Sequence, residues 1–269
     1  MNQIIRKTTL VMAMIGMALA FNTNVYAADT GTSGEWQHRV LLYGWFPSLN
    51  GTLNYDIPGG GNSASADASD IIENIDFVFM GLYEGRMDEW SFTADLLYLD
   101  LSNSENNSVS IPIGPGGGDV KVGADQSMTA WVVGLYGGYN AVKTDKVSLD
   151  ILLGARYLSL DVDAKLEIIG PLPPVIPSRK LSQSVDLWDA IVGVKGYITL
   201  SDKWYLPYHF DIGTGDSDLT WQALVAVGYR FNWGDVLLAY RHLSYDQGRS
   251  GLVQNLELSG PALGVNFRF

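Results

Sequence analysis

Residues 219–233 alternate with a period of two. The odd positions are Leu219, Trp221, Ala223, Val225, Val227, Tyr229, Phe231 and Trp233. The even positions are Thr220, Gln222, Leu224, Ala226, Gly228, Arg230 and Asn232. Successive side chains of a strand point to opposite faces, so this is a strand between two different environments. Aromatic rings mark both ends of its apolar face, and small aliphatics fill the middle. A soluble sandwich buries its large apolar residues and turns its charges out, with no need for rings at each end. A lipid-facing barrel has that need, because amphipathic rings settle at the two membrane interfaces.

The pattern recurs. Val147, Leu149, Ile151, Leu153, Ala155 and Tyr157 alternate with Ser148, Asp150, Leu152, Gly154 and Arg156. Trp188, Ala190, Val192, Val194 and Ile198 oppose Asp189, Gly193, Lys195 and Tyr197. At the C-terminus Pro261, Leu263, Val265, Phe267 and Phe269 oppose Gly260, Ala262, Gly264, Asn266 and Arg268. Strands are expected near 36–46, 75–87, 90–101, 128–141, 147–160, 185–200, 204–213, 219–232, 235–245 and 260–269. That makes ten, an even count that puts both termini on one side, with eight and twelve as the neighbouring even counts. The fold class is all-β: an antiparallel up-and-down transmembrane β-barrel.

Connections alternate in length. Short ones lie at 87–89, 141–146, 201–203 and 233–234. Long ones lie at about 47–74, 102–127, 161–184, 214–218 and 246–259. Short turns belong to the periplasmic side and long loops to the outside. Trp90, Trp204 and Trp233 then form one aromatic belt beside short turns. Trp131, Trp188 and Trp221 form the other, each opening a strand that descends from a long loop.

The first 27 residues have the form of a secretory signal peptide: basic Arg6 and Lys7, an apolar run over 8–20, and a small-residue cut after Ala27. The remaining 28–269 form a single barrel. No later stretch approaches the ~18 apolar residues of a spanning helix. There are no cysteines, so no disulfide supports this exported chain. The formal charge of −12 becomes −14 once Arg6 and Lys7 are removed, which argues against nucleic acid as a partner.

The closing run Gly264-Val265-Asn266-Phe267-Arg268-Phe269 resembles the terminal signal of Gram-negative outer-membrane barrels. The chain as a whole resembles the small outer-membrane β-barrel families of the OmpA- and OmpW-like type. The stretch from Asp218 to Asp235 is the most family-like. Ten strands depart from the eight of those barrels. The resemblance implies a Gram-negative outer membrane, surrounded by lipid and lipopolysaccharide. It also implies that the assembly machinery reads Val265, Phe267 and Phe269.

The inward faces carry both signs of charge: Arg39, Glu84, Arg86, Asp95, Asp150, Arg156, Asp189, Lys195, Asp211, Arg230, Arg241 and Arg268. A charge facing lipid costs ~2–4 kcal/mol at the midplane. Within a narrow barrel, opposite charges pair and fill the lumen. The leading expectation is a polar plug, with a structural role or slow passage of small solutes or ions. A narrow ion-selective pore lined by the same charges is the sharper form. An enzyme needs more. His209 and Asp211 share one face of a strand, and with a serine they would suit an outer-membrane lipid or peptide hydrolase. No particular serine is indicated, so a packed interior residue is the better account of His209. His38 and His242 are expected at the interfaces.

Loop-mediated binding or adhesion is a third reading. Asp67, Asp70, Glu73, Asp161, Asp163 and Glu167 are loop carboxylates without the spacing of a calcium loop, so no metal site is assigned. Gly59–Gly61 and Gly114–Gly118 lack the Lys-Ser/Thr and helix of a phosphate loop. No cofactor is implied. Pro171, Pro173, Pro174 and Pro177 mark an extended loop tip, and 69–73 is expected to start a short helix.

Overall fold

The computed structural model describes residues 34–53, 62–66, 75–103, 109–112, 119–169, 179–247 and 253–269. The expected signal peptide, the helix at 69–73, both glycine clusters and the proline tip lie outside them.

Among the described residues thirteen strands run in chain order: β1 (Gln37–Trp45), β2 (Ser48–Leu53), β3 (Asn62–Ala66), β4 (Ile75–Met87), β5 (Trp90–Asn103), β6 (Val109–Pro112), β7 (Asp119–Lys143), β8 (Val147–Ile169), β9 (Arg179–Thr199), β10 (Trp204–Gly215), β11 (Leu219–Arg230), β12 (Asp235–Asp246) and β13 (Val253–Arg268). Ten of them, β1, β4, β5 and β7 to β13, pair antiparallel around a closed barrel. The other three are additions on the side of the long connections. β2 follows β1 along β13, β3 pairs with β2, and β6 pairs with β7. Among the described residues no helix is long and apolar enough to cross a membrane.

β1 and β13 close the ring in register from Arg39↔Arg268 to Trp45↔Ala262. The closure runs to the last residue. His38 N–H donates to the Phe269 carbonyl at 2.8 Å, and Phe269 N–H donates back to the His38 carbonyl at 3.0 Å. The imidazole of His38 stacks between Trp36, Tyr83 and Phe269.

The outer surface is apolar and open. Leu153 is 71% exposed, and Val225 and Leu238 are 61%. Rings bound this surface on two levels. Beside the short turns stand the pair Trp90–Tyr139 and the run Trp204–Tyr229–Phe231–Trp233–Phe267. Beside the long connections stand Phe77–Tyr98–Trp131, Tyr157–Trp188 and Trp221–His242. An exposed apolar band between two aromatic girdles is a lipid-facing surface, and the barrel is transmembrane.

The structure differs from the sequence reading beyond the outer girdle. Residues 119–127, 161–169, 179–184 and 253–259, assigned from periodicity to outer loops, are strand. β7 and β8 stay paired out to Lys121↔Ile169, and β8 and β9 out to Leu166↔Arg179. In water neither face of a hairpin needs lipid-compatible side chains. The period of two continues there, but its outward phase turns from apolar to charged at Asp161 and Asp163, which removes the lipid-facing signature while the backbone ladder continues.

Inside, large rings rest on glycines of the same face. Tyr205 pairs with Gly228 across β10 and β11, and its ring occupies the place of the missing side chain. A Cβ on Gly228 would stand 2.5 Å from the ring carbons. The same Tyr205 donates its hydroxyl proton to Asp235 at 2.9 Å. Gly228→Ala is therefore expected to destabilise the barrel by about 1–3 kcal/mol through overpacking. Urea titration of protein folded in lipid vesicles will measure it, and a Gly228→Ala/Tyr205→Leu double variant should recover most of the loss.

Candidate functional site

The lumen of a narrow barrel is the one place where this fold gathers polar chemistry away from both lipid and water. Alternation delivers every second residue of each strand to it. The structure places the twelve charges named above on this inner face and sorts most of them into clusters.

Near the short turns, Glu84 is the hub. It accepts from Arg39 at 3.1 Å, lies 3.8 Å from Arg86, and pairs with Lys195. Arg86 also pairs with Asp150, to which Asn140 donates at 2.5 Å. Thr93 joins by donating to Glu84 at 3.3 Å. A neighbouring cluster surrounds Asp235, which accepts from Arg268 at 2.6 Å and from Asn266 and Tyr205 at 2.9 Å each. The Arg230 guanidinium lies 4.6 Å above the Tyr205 ring.

Two further clusters sit deeper. Arg241 donates to Asp95 at 2.9 Å, to Gln222 at 2.7 and 3.0 Å, and to the Tyr43 hydroxyl at 2.9 Å. Tyr43 in turn donates to Asp95 at 2.7 Å. Arg156 reaches both oxygens of Asp211, at 2.6 and 2.7 Å, with Thr220 at 3.2 Å and Tyr136 at 3.3 Å. His209 Nε2 stands 2.5 Å from Asp211 Oδ2. Asp189 faces Arg156 in the β8–β9 register and accepts the Ser217 amide at 2.9 Å.

Above these charges the lumen changes character, and the expected polar plug is only half of it. Trp45, Met80, Leu97, Leu99, Val132, Leu158, Leu160, Leu187, Leu243, Tyr245 and Leu256 form one buried apolar cluster in the half nearer the long hairpins. Leu243 and Tyr245 are fully covered, at 0% exposure. Arg241 marks the boundary, with its guanidinium 4.9 Å from the Trp45 ring. The inner face is thus charged on the turn side and apolar on the hairpin side.

His209 and Asp211 meet, yet the carboxylate is shared. Arg156 holds both of its oxygens, so the pair belongs to a buried ion cluster. His242 lies on the outer face against Trp221, with Ser259 at 2.5 Å. Among the described residues no group of three or more His, Cys, Asp or Glu is arranged to hold a metal ion. The Asp163 carboxylate accepts from Ser182 across β8 and β9. Asp67, Asp70, Glu73 and the Glu167 side chain lie outside the described residues.

Sequence reading missed Tyr43, Tyr136, Asn140, Gln222 and Asp235 as partners of the inner charges. Asp235 carried a usable signal: it is in phase with Arg241 on β12, one residue beyond the Trp233-Gly234 turn. The apolar layer carried none. In the upper half of β8, inward Leu158 and Leu160 alternate with outward Tyr157 and Ser159, so hydropathy alone does not tell lumen from lipid.

No known family's sequence profile matches the chain, and no curated protein matches it in sequence. Solved structures do resemble it. The outer membrane protease OmpT of Escherichia coli is 11% identical, with a TM-score of 0.52 over 90% of this chain and 99% of that one. The translocator domain of the autotransporter NalP of Neisseria meningitidis is 18% identical, with a TM-score of 0.41 over 98% of each chain. Ail of Yersinia pestis is 11% identical, with a TM-score of 0.38 over 88% of this chain and 100% of that one. At such identities the likeness is one of fold: the chain is a closed ten-stranded barrel of the kind found in outer membranes.

The ion clusters give a measurable signature. Removing one partner of a buried pair leaves an uncompensated charge and typically costs about 3–5 kcal/mol, whereas replacing both with apolar groups is often neutral. Arg241→Met should therefore lower the unfolding free energy by roughly that amount. Arg241→Met/Asp95→Leu should regain most of it. Urea titrations of the three proteins in vesicles decide this.

Proposed function

We propose that this chain is a Gram-negative outer-membrane barrel with a sealed lumen, serving as a structural wall element rather than an open pore. The observation that supports this reading is the two-layer filling. Paired charges occupy the turn-side half, and packed apolar side chains occupy the other. Ions crossing it would have to part buried ion pairs and then enter an apolar layer, each step opposed by desolvation. Reading the inner charges as a selective pore has less support, because each of Glu84, Asp95, Asp150, Asp211 and Asp235 is engaged by a cation. The hydrolase reading has less support too, since Arg156 holds the Asp211 carboxylate that His209 would need.

The terminal strand fits uptake by the assembly machinery. Val265 and Phe267 turn outward on β13, and Phe269 ends the girdle beside His38.

Single-channel recording on the refolded protein tests the main reading. No steady open level is expected from the native chain. Trimming the apolar layer with Leu99→Ala, Leu158→Ala and Leu243→Ala together should produce channel activity. A stable open level in the native protein would overturn the sealed-lumen reading. For the assembly role, deleting Phe269 should reduce the barrel reaching the outer membrane in cells more than it reduces refolding yield into detergent. Equal loss in both would make Phe269 a closure element only.

A further inference from the structure

The ladder of the wall is cut short between β1 and β4. Their ladder runs from Gln37↔Arg86 to Leu42↔Gly81 and stops there. Yet β1 continues to Trp45, and β4 extends up to Ile75, paired on its other side with β5. The Trp45 amide, which a continuing ladder would pair with a β4 carbonyl, instead donates to the thioether of Met80 at 3.1 Å. A thioether is a weak acceptor, so this stretch of wall is held loosely.

The cause is local chemistry at the upper end of β1. Pro47 offers no amide, and Pro261 faces this corner from β13. Gly260 lets the chain pass close, since a Cβ there would collide with the Phe46 carbonyl. The Phe46 amide donates to the Pro261 carbonyl at 2.9 Å, and the Trp45 indole donates to the Gly260 carbonyl at 3.2 Å. These bonds draw the top of β1 toward β13 and away from β4.

The result is a groove of about 380 Å³ on the outer face. Gly44 leaves its floor without a side chain, and Leu42, Val78, Phe79 and Leu263 wall it. Leu42 and Leu263 are exposed members of the lipid-facing band, while Val78, in phase with Met80 and paired with Leu99, is exposed from the inner phase of β4, so groove and band are continuous. Phe77, two residues above Phe79, belongs to the outer girdle with Tyr98 and Trp131, which sets the groove just inside the hydrocarbon on that side. Met80 lines the groove and also belongs to the apolar lumen cluster.

We propose that this seam is a docking groove for a single hydrocarbon chain of a membrane lipid, entered from the bilayer, with Met80 and Tyr43 as its inner wall. A hydrocarbon occupant matches the apolar side chains that line the groove, Leu42, Val78, Phe79 and Leu263. Docking here and ion flow along the barrel axis are separate properties, so either can hold without the other.

The probe is phosphatidylcholine carrying a diazirine midway along one acyl chain, mixed into vesicles that contain the refolded barrel. After illumination, lipid adducts are mapped by mass spectrometry. A sealed wall labels only outward residues such as Leu153 and Val225. The groove adds label at the inward-facing Met80 and Tyr43. Label at Leu153 and Val225 with none at Met80 or Tyr43 overturns the proposal. The chain has no cysteine, so a Gly44→Cys/Phe79→Cys pair can close the seam cleanly. Oxidising that pair should cut label at Met80 and Tyr43 at least tenfold and leave Leu153 unchanged, and reduction should restore it. Persistent label in the oxidised form overturns the proposal as well. Gly44→Leu, which fills the notch without a cross-link, should give the same selective loss.

Discussion

Everything in this molecule depends on backbone hydrogen bonds being satisfied where water is absent. Each unpaired amide or carbonyl in hydrocarbon costs several kcal/mol, so a sheet that crosses a membrane must close on itself. Here the closing pair is β1 with β13, joined in register down to the mutual bonds of His38 and Phe269. Closure puts alternate residues in a confined interior and the rest on lipid. The aromatic girdles, the glycine notches and the inner ion pairs are all responses to that division.

Once closed, a ten-stranded ring has an interior that must be filled or flooded. This chain fills it with two chemistries in series. On the turn side Glu84, Asp150 and Asp235 gather cations around them, while deeper in, Arg156 and Arg241 each hold a carboxylate. Such pairs add little net stability over apolar packing, but they penalise any arrangement that separates them. They therefore favour one strand register, since a slip of one residue would turn Arg156 or Asp211 to lipid. The apolar cluster above supplies the ordinary burial energy of a core. The same inner face thus carries specificity at one end and cohesion at the other.

The fold was legible because lipid imposes a one-dimensional code. Along β11 and β13, alternation separates the two faces, and rings mark the interfaces. The code stops where lipid stops. Beyond Trp131 and Trp188 the strands continue as paired hairpins, where Asp161 and Asp163 keep the period of two but replace the apolar outward phase that marks lipid. The inner charges could be named from phase alone. Their partners could not, because Tyr43, Asp95 and Arg241 come together from three different strands. Leu158 and Leu160 were equally opaque, since an apolar residue facing a packed lumen reads like one facing lipid. The seam at Trp45 arises from Pro47, Gly260 and Pro261 acting together across a closure that exists only in three dimensions.

The uneven height of the strands gives the barrel a front and a back. Between β7, β8 and β9 the ladder rises about ten residues past Trp131, to Lys121. At ~3.3 Å per residue that is a rampart on the order of 30 Å along the strand. On the other flank, β10 and β11 join through 216–218, almost level with Trp188 and Trp221. A body sliding in the plane of the membrane meets a tall, stiff screen from one direction and a low threshold from the other. Contacts made above the bilayer therefore depend on the angle of approach, and crowding neighbours will tend to orient the molecule rather than merely surround it.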